Sequence, residues 1–158
     1  MPAKTYHLSN AILGATLCNT TYSSPSNVYV GLFNVLPSTP GATGTECSGS
    51  GYARQQVAFT INSSAPSNLV PNFVTNTGNS SGPGAIVFPQ ATSAWGTITG
   101  VGIFDALQTG QATSPGNLLY YATLSLPQIV NLGDQVGFPI GSLPVTLTSL
   151  GYLVITEV

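Results

Sequence analysis

Hydrophobic positions near the N-terminus recur with the period of a helix. The positions at spacings of three and four residues are Leu8, Ala11, Ile12 and Ala15. Leu13 and Leu17 add a second apolar edge to the same segment. Because this spacing places the first set on one helical face, the pattern predicts one short helix, roughly from Thr5 to Cys18.

The remainder of the chain changes to short runs rich in β-branched and aromatic residues, separated by Gly, Pro, Asn and Ser. In Gln55–Ile61, the alternation of Val57, Phe59 and Ile61 with polar or small residues predicts a half-buried strand. Other predicted strands are Asn27–Val35, Asn72–Thr75, Ala85–Pro89, Trp95–Asp105, Asn117–Ser125 and one or two after Pro144. We also predict a hairpin-type loop at Leu107–Gly116 and a turn at Asn131–Asp134.

These short strands show no alternation with helices, which excludes a βαβ architecture. They predict an all-β fold: a compact sandwich, jelly-roll-like or barrel-like, with one short N-terminal helix. A chain of 158 residues is most simply one domain. Within it we expect the helix and its connection at 1–26, a projecting loop or arm at 62–83, and a C-terminal extension at 150–158.

Charged residues are unusually rare in this chain. They make up 4% of the sequence, against about 25% in an ordinary soluble domain. The resulting neutral, hydroxyl-rich surface is typical of a protein held in an assembly or exposed outside a cell. Two basic residues and a net charge of -2 argue against binding to nucleic acid or to anionic membranes. No apolar segment is long enough to span a bilayer.

The two cysteines, Cys18 and Cys47, form no metal-binding motif with each other or with the single histidine. We expect two free thiols that behave as small buried apolar groups, although a disulfide between them remains an alternative. No cofactor or metal site is predicted.

The sequence does not favour an enzyme. His7, the only histidine, lies in the predicted helix, and no nucleophile lies in a recognisable motif beside it. The carboxylates available for glycoside hydrolysis are Glu46, Asp105, Asp134 and Glu157. Asp105 follows a strand and Asp134 lies in a turn, where aspartate is common for local hydrogen bonding. We therefore predict no catalytic residues.

The segment GTECSGSGYARQQV (Gly44–Val57) first suggests a phosphate-binding loop. It has no Gly-Lys-Ser/Thr sequence, and it leads into a strand rather than a helix, so that interpretation fails. We predict a structural clamp instead. Arg54 would pair in bidentate fashion with Glu46 or Asp105, Tyr52 would anchor the loop to the core, and glycines would allow sharp turns.

Three aromatic residues, Trp95, Tyr120 and Tyr121, offer a possible platform for stacking against a sugar. Aromatic residues in strands belong more often to the core, and this is the interpretation we favour. The stacking hypothesis keeps a carbohydrate-binding β-domain of a secreted or cell-surface protein in view as an alternative class.

Several segments occur in an order that resembles small virion proteins of tailed bacteriophages, often described as tail-fibre or structural proteins. The segments are VYVGLF (Val28–Phe33), GTECSGSGYARQQVAF (Gly44–Phe59), IVFPQATSAWGTITGVGIFDA (Ile86–Ala106), GNLLYYATLSLPQIVNLGD (Gly116–Asp134) and PVTLT (Pro144–Thr148). The resemblance covers most of the chain, and it implies a structural role in the virion.

Two placements in the virion follow from this resemblance. We expect a capsid cement or decoration protein on the outer capsid surface, because the chain has a single small domain and no coiled-coil heptads. Its partners would then be the major capsid protein and copies of itself at a symmetry axis. The alternative is a tail or tail-fibre component that could bind a carbohydrate or another receptor.

Overall fold

The computed structural model describes residues 3–62, 73–79, 82–83, 85–107, 116–147 and 153–155. One helix, α1 (Tyr6–Leu17), follows a first short strand. The strands are β1 (Ala3–Lys4), β2 (Val28–Val35), β3 (Thr45–Glu46), β4 (Gln55–Asn62), β5 (Phe73–Asn79), β6 (Gly82–Pro83), β7 (Ile86–Val87), β8 (Gly96–Phe104), β9 (Leu118–Val130), β10 (Gly137–Phe138), β11 (Val145–Leu147) and β12 (Leu153–Ile155). The predicted all-β fold with one short N-terminal helix is confirmed.

The helix begins and ends at residues suited to those positions. Thr5 is its N-cap, with extended backbone angles and an Oγ1 that accepts a hydrogen bond from Leu8 N at 3.5 Å. At the other end, the Cys18 and Thr20 amides both donate to the carbonyl of Gly14. Asn19 between them has a positive φ of 53°, a conformation that asparagine tolerates better than most residues.

One large antiparallel sheet contains most of the strands, in the order β1-β9-β8-β2-β4-β5-β11-β12. β3 pairs with β2, β6 pairs with β5, and β7 and β10 form a separate two-stranded sheet. The ends of the large sheet, β1 and β12, approach each other. The sheet therefore curls around its core in the manner of a barrel.

The core lies on one face of β2, β8 and β9. Val30 and Leu32 of β2 face the same side as their partners Ile103 and Val101 of β8, because side chains alternate along a strand. Phe88, Trp95 and Phe138 from the connecting segments complete this buried cluster. The opposite face of these strands carries the glycine pair Gly31 and Gly102.

Several strand boundaries differ from the prediction. β9 continues to Val130, five residues beyond the predicted end, and a register shift relative to β8 accommodates the extra length. The pairing of β4 with β5 is irregular between Ala58 and Phe59, where the register skips Thr77 of β5, and Ile61 near the end of β4 is 63% exposed rather than buried. Phe59, on the predicted face, packs against the core, and so does Val74, the partner of Ile61. The predicted face is therefore right, but burial does not extend as far as Ile61.

The excursion predicted at 62–83 is only partly outside the sheet. The short strand expected near Thr75 is the longer β5, which pairs with both β4 and β11. Asn76 in its middle is fully buried. Residues 63–72 lie outside the described part of the chain, as do 108–115 of the predicted hairpin loop. Leu153–Ile155 of the predicted C-terminal extension form β12.

Candidate functional site

The residues of the predicted clamp come from three consecutive pieces of chain. Glu46 ends β3, which pairs with β2 at Phe33. Tyr52 follows a turn at Gly51, whose φ of +84° is a conformation that glycine adopts without strain. Arg54 immediately precedes β4. The loop therefore leaves and returns beside the same edge of β2, which places all three side chains together.

Arg54 and Glu46 form a bidentate ion pair. The Arg54 Nε donates to Glu46 Oε1 at 2.7 Å, and its Nη2 donates to Oε2 at 2.6 Å. The Arg54 residue is 3% exposed, so the guanidinium depends on partners inside the protein. Such parallel N–H···O bonds fix direction as well as distance.

Two further groups complete the environment of Arg54. Its Nη1 donates to the carbonyl of Ala106 at 2.9 Å. Its Cζ lies 3.4 Å from the centre of the Phe104 ring, which is a cation–π contact. Phe104 in turn stacks on Phe33, with ring centres 5.9 Å apart. Arg54 thus connects the loop to the end of β8.

Tyr52 links Glu46 to the backbone of β2. Its hydroxyl donates to Glu46 Oε1 at 2.8 Å and accepts from the Leu32 amide at 2.8 Å. Its ring stacks on Phe88 and meets Trp95 edge-on. Burial, and then the negative charge of Glu46, raise the pKa of Tyr52 well above its ordinary value of 10.0, so the neutral hydroxyl is the form present at neutral pH.

Glycines leave room for the side chains of this cluster to pack closely against the backbone. A Cβ atom on Gly31 would lie 2.8 Å from both Glu46 Oε1 and Phe104 Cε2. A Cβ on Gly49 would collide with the Trp95 ring. Among the three loop glycines expected to turn the chain sharply, Gly51 has the positive φ, whereas Gly44 and Gly49 serve for close packing.

Asp105, the second predicted partner of Arg54, has a different role. Its two carboxylate oxygens accept hydrogen bonds from the backbone N and the Nδ2 of Asn117, at 2.6 and 2.7 Å. The carboxylate therefore ties the end of β8 to the start of β9. It is the carbonyl of the next residue, Ala106, that reaches the guanidinium.

The aromatic platform does not form. Trp95 and Tyr121 are each 4% exposed, so neither presents a ring face to a ligand. The Trp95 Nε1 donates to the carbonyl of Ser50 at 3.0 Å, which holds the clamp loop against the core. Tyr120 and Tyr121 are consecutive in β9 and face opposite sides of the sheet.

The other candidate groups remain apart. His7 is exposed on α1, and Asp134 closes the predicted turn by accepting from the Asn131 amide at 2.8 Å. Glu157 lies outside the described residues. Cys18 and Cys47 are both unpaired; Cys47 is buried as expected, whereas Cys18 is exposed at the end of α1.

No metal-binding cluster is found among the described residues: three His, Cys, Asp or Glu side chains never come together there. Within the same ranges, no helix has the length and apolar character needed to cross a membrane.

The contacts made by Asn76 and Phe104 were not predicted from the sequence. Asn76 Nδ2 donates to the carbonyl of Pro139 at 2.9 Å, and its Oδ1 accepts from the Leu143 amide at 2.9 Å. It therefore anchors the segment before β11 to β5. The one signal for Phe104 is its position one residue before Asp105, a predicted partner of Arg54.

The clamp is suited to holding structure rather than to chemistry. Its carboxylate, guanidinium and hydroxyl bond to one another and to backbone groups, so they are occupied in the absence of any ligand. What the arrangement can do is fix the loop from Gly44 to Arg54 rigidly against β2 and β8.

Comparison with known proteins identifies a family. A family model described as "Podophage GP4 fiber I protein gp80" matches residues 3–146. The match begins in β1, ends in β11 and includes the whole clamp. No curated protein matches the sequence.

Proposed function

The chain belongs to the podophage GP4 fiber I protein gp80 family and is a structural protein of the bacteriophage virion, and we propose that it is a component of the virion fibre. The observation that carries this proposal is the family match over residues 3–146, which includes nearly the entire domain. The description of the family names a fibre, and this favours the fibre over the outer capsid surface that we expected from the sequence.

The structure of the domain supports a mechanical role. A single curled sheet is held at one place by a buried ion pair, stacked rings and backbone hydrogen bonds. Few of its charged groups remain at the surface. A rigid and nearly uncharged module suits permanent docking between neighbouring subunits, because desolvating it costs little compared with a highly charged surface.

Its partners in this proposal are copies of itself and the adjoining proteins of the fibre. Nucleic acid and membrane are not expected partners, since the sequence has only two basic residues. No catalytic activity is proposed, because the clamp groups are fully engaged with one another.

Location within the particle tests this proposal directly. Gold-labelled antibodies against the purified protein should decorate the fibres of intact virions in electron micrographs. Labelling spread evenly over the capsid shell would instead support the cement placement. Pre-immune serum, together with particles grown from a phage that lacks the gene, provides the control for nonspecific labelling.

A further inference from the structure

The outward face of α1 is apolar although it is not covered. The helix contains no charged residue, and only Leu8 is buried. Tyr6, Leu13 and Leu17 lie on one face, at spacings of seven and four residues, and each is more than half exposed. We call these three residues the helix stripe. A helix that is apolar on both sides is normally covered on both sides.

A second apolar surface lies where β9 ends. Leu126, Ile129 and Leu132 are each about two-thirds exposed or more, and we call them the turn patch. Leu126 and Ile129 line a cleft of about 620 Å³ between the end of β9 and the segment Asp134–Pro139. Clustered exposed apolar side chains of this kind mark interaction sites more often than isolated ones do.

The helix stripe and the turn patch lie toward opposite ends of the molecule. The helix is tied to the start of β9, because the Thr5 amide donates to Leu119 O at 3.0 Å and the Thr5 Oγ1 donates to Leu118 O at 2.6 Å. The turn patch includes the last residues of β9 and the turn that follows. Between these two places β9 runs alongside the nine residues of β8, from Phe104 opposite Leu118 to Gly96 opposite Val130, a length of about 27 Å in an extended strand.

The few charges at the surface distinguish these two ends. Within the described residues, Glu46 and Arg54 neutralise each other, whereas the Asp105 carboxylate keeps its charge, since both of its hydrogen bonds come from the neutral Asn117 at the start of β9. The remaining charged side chains are Lys4 and Asp134. Lys4 lies two residues before the helix stripe begins, and Asp134 lines the cleft of the turn patch. One apolar surface is therefore flanked by a positive charge and the other by a negative charge.

We propose that copies of this chain associate head to tail, with the helix stripe of one copy packed on the turn patch of the next. This arrangement covers both apolar surfaces and brings Lys4 near Asp134 of the neighbouring copy. A contact between two different surfaces extends into a ring or a filament. The inference rests on the proposed role in a fibre, for which it supplies the contact between subunits.

The contact is small, since each surface presents only three large apolar side chains. Stable interfaces bury about 800 Å² on each partner. We therefore expect weak association of the free protein, which the geometry of the virion reinforces by holding many copies together. Sedimentation analysis from about 10 μM to about 1 mM covers the range in which such an interface is measurable.

Polar substitutions test the two surfaces separately. Leu17→Gln in the helix stripe and Leu132→Gln in the turn patch should each weaken self-association about tenfold or more. Ile61→Gln is the matched control, because Ile61 is exposed to a similar degree on β4 and belongs to neither surface. It should leave association unchanged. A wild-type protein that remains monomeric throughout the concentration range overturns the proposal, and the two surfaces then belong to contacts with a different virion protein.

Charge reversal tests the head-to-tail pairing. Lys4→Glu places a negative charge beside each of the two surfaces and Asp134→Lys places a positive charge beside each, so each variant alone should associate more weakly than the wild type. An equimolar mixture of the two should recover association, because each end then meets an opposite charge. A mixture no stronger than the separate variants overturns the pairing. These association measurements do not depend on where antibodies label the virion. Failure of the head-to-tail contact can therefore be distinguished from failure of the fibre placement.

Discussion

Arg54 is buried and Leu132 is exposed, which is the reverse of what is usual for a charged and an apolar side chain. The arginine is 3% exposed, whereas the leucine in the turn after β9 is 71% exposed. Arg54 has every requirement of its charge met within the chain, by Glu46, Ala106 and Phe104. Leu132 and its apolar neighbours have no such cover. The clamp is complete in one copy, whereas in the head-to-tail arrangement that we propose the ends of the molecule are covered by neighbouring copies.

Removing the guanidinium of Arg54 should have the largest effect on the stability of the protein. Arg54→Ala leaves the Glu46 carboxylate without its cation and empties the space over Phe104, so we expect the free energy of unfolding to fall by about 3–5 kcal/mol. Arg54→Lys should lose less, because a charge remains while the bidentate geometry is lost. Chemical denaturation measures both.

Two other variants separate the loss of the pair from the loss of a charge. In Arg54→Met/Glu46→Leu both partners are replaced by apolar groups, and most of the stability should return. Lys4→Ala removes the other basic residue and should change stability by no more than about 0.5 kcal/mol. An Arg54→Ala protein as stable as the Lys4→Ala protein would show that the clamp contributes nothing.

Tyr52→Phe should have the next largest effect. The substitution removes the donor to Glu46 Oε1 and the acceptor of the Leu32 amide, and unsatisfied buried groups cost about 1–3 kcal/mol. Tyr6→Phe is the control, because Tyr6 is an exposed residue of the helix stripe. Equal unfolding midpoints for the two variants would contradict the role assigned to the Tyr52 hydroxyl.

Alkaline pH should weaken the fold through the same hydroxyl. Folding raises the pKa of Tyr52 above its ordinary 10.0, so the stability it contributes is present below about pH 10 and is lost as the pH rises toward the folded pKa. The loss is about 1.4 kcal/mol per pH unit for each such group. Burial also raises the pKa values of Tyr120 and Tyr121. The melting temperature, measured at about pH 9, 10 and 11, should therefore fall less steeply with rising pH for Tyr52→Phe than for the wild type.

Leu13→Gln in the helix stripe should have the smallest effect on folding. Its side chain is more than half exposed, and glutamine forms helices about as readily as leucine, so the change should lie within about 0.5 kcal/mol. The melting temperature at dilute protein concentration measures it. A loss comparable to that of Tyr52→Phe would mean that the outer face of α1 is already packed within one copy.

Local chemistry predicted part of this structure well. The spacing of apolar residues located α1 to within a residue at each end, because helix periodicity is a local signal. Glu46 could be named as a partner of Arg54 because a chain with six charged side chains offers few choices. The preference for core packing of Trp95 was also correct, since large aromatic residues in such strands are normally covered.

Features that depend on contacts between residues distant in sequence were not predicted. The register shift between β8 and β9 and the irregular pairing of β4 with β5 depend on contacts between residues that are distant in sequence. The stacking of Arg54 on Phe104 joins residues 50 positions apart, and nothing local indicates it. The exposure of the end of β9 was also not predicted. Its leucine and isoleucine resemble core residues when the strand is considered alone.

The burial of Arg54 also limits where proteases can cleave the folded protein. Trypsin-like enzymes cut after lysine or arginine, and this chain contains only Lys4 and Arg54. Arg54 is enclosed by the clamp, so in the folded state cleavage is confined to Lys4, within the first four residues. A structural protein carried outside the cell thus presents digestive enzymes of this specificity with a single target, and cutting there leaves the clamp and the body of the sheet intact.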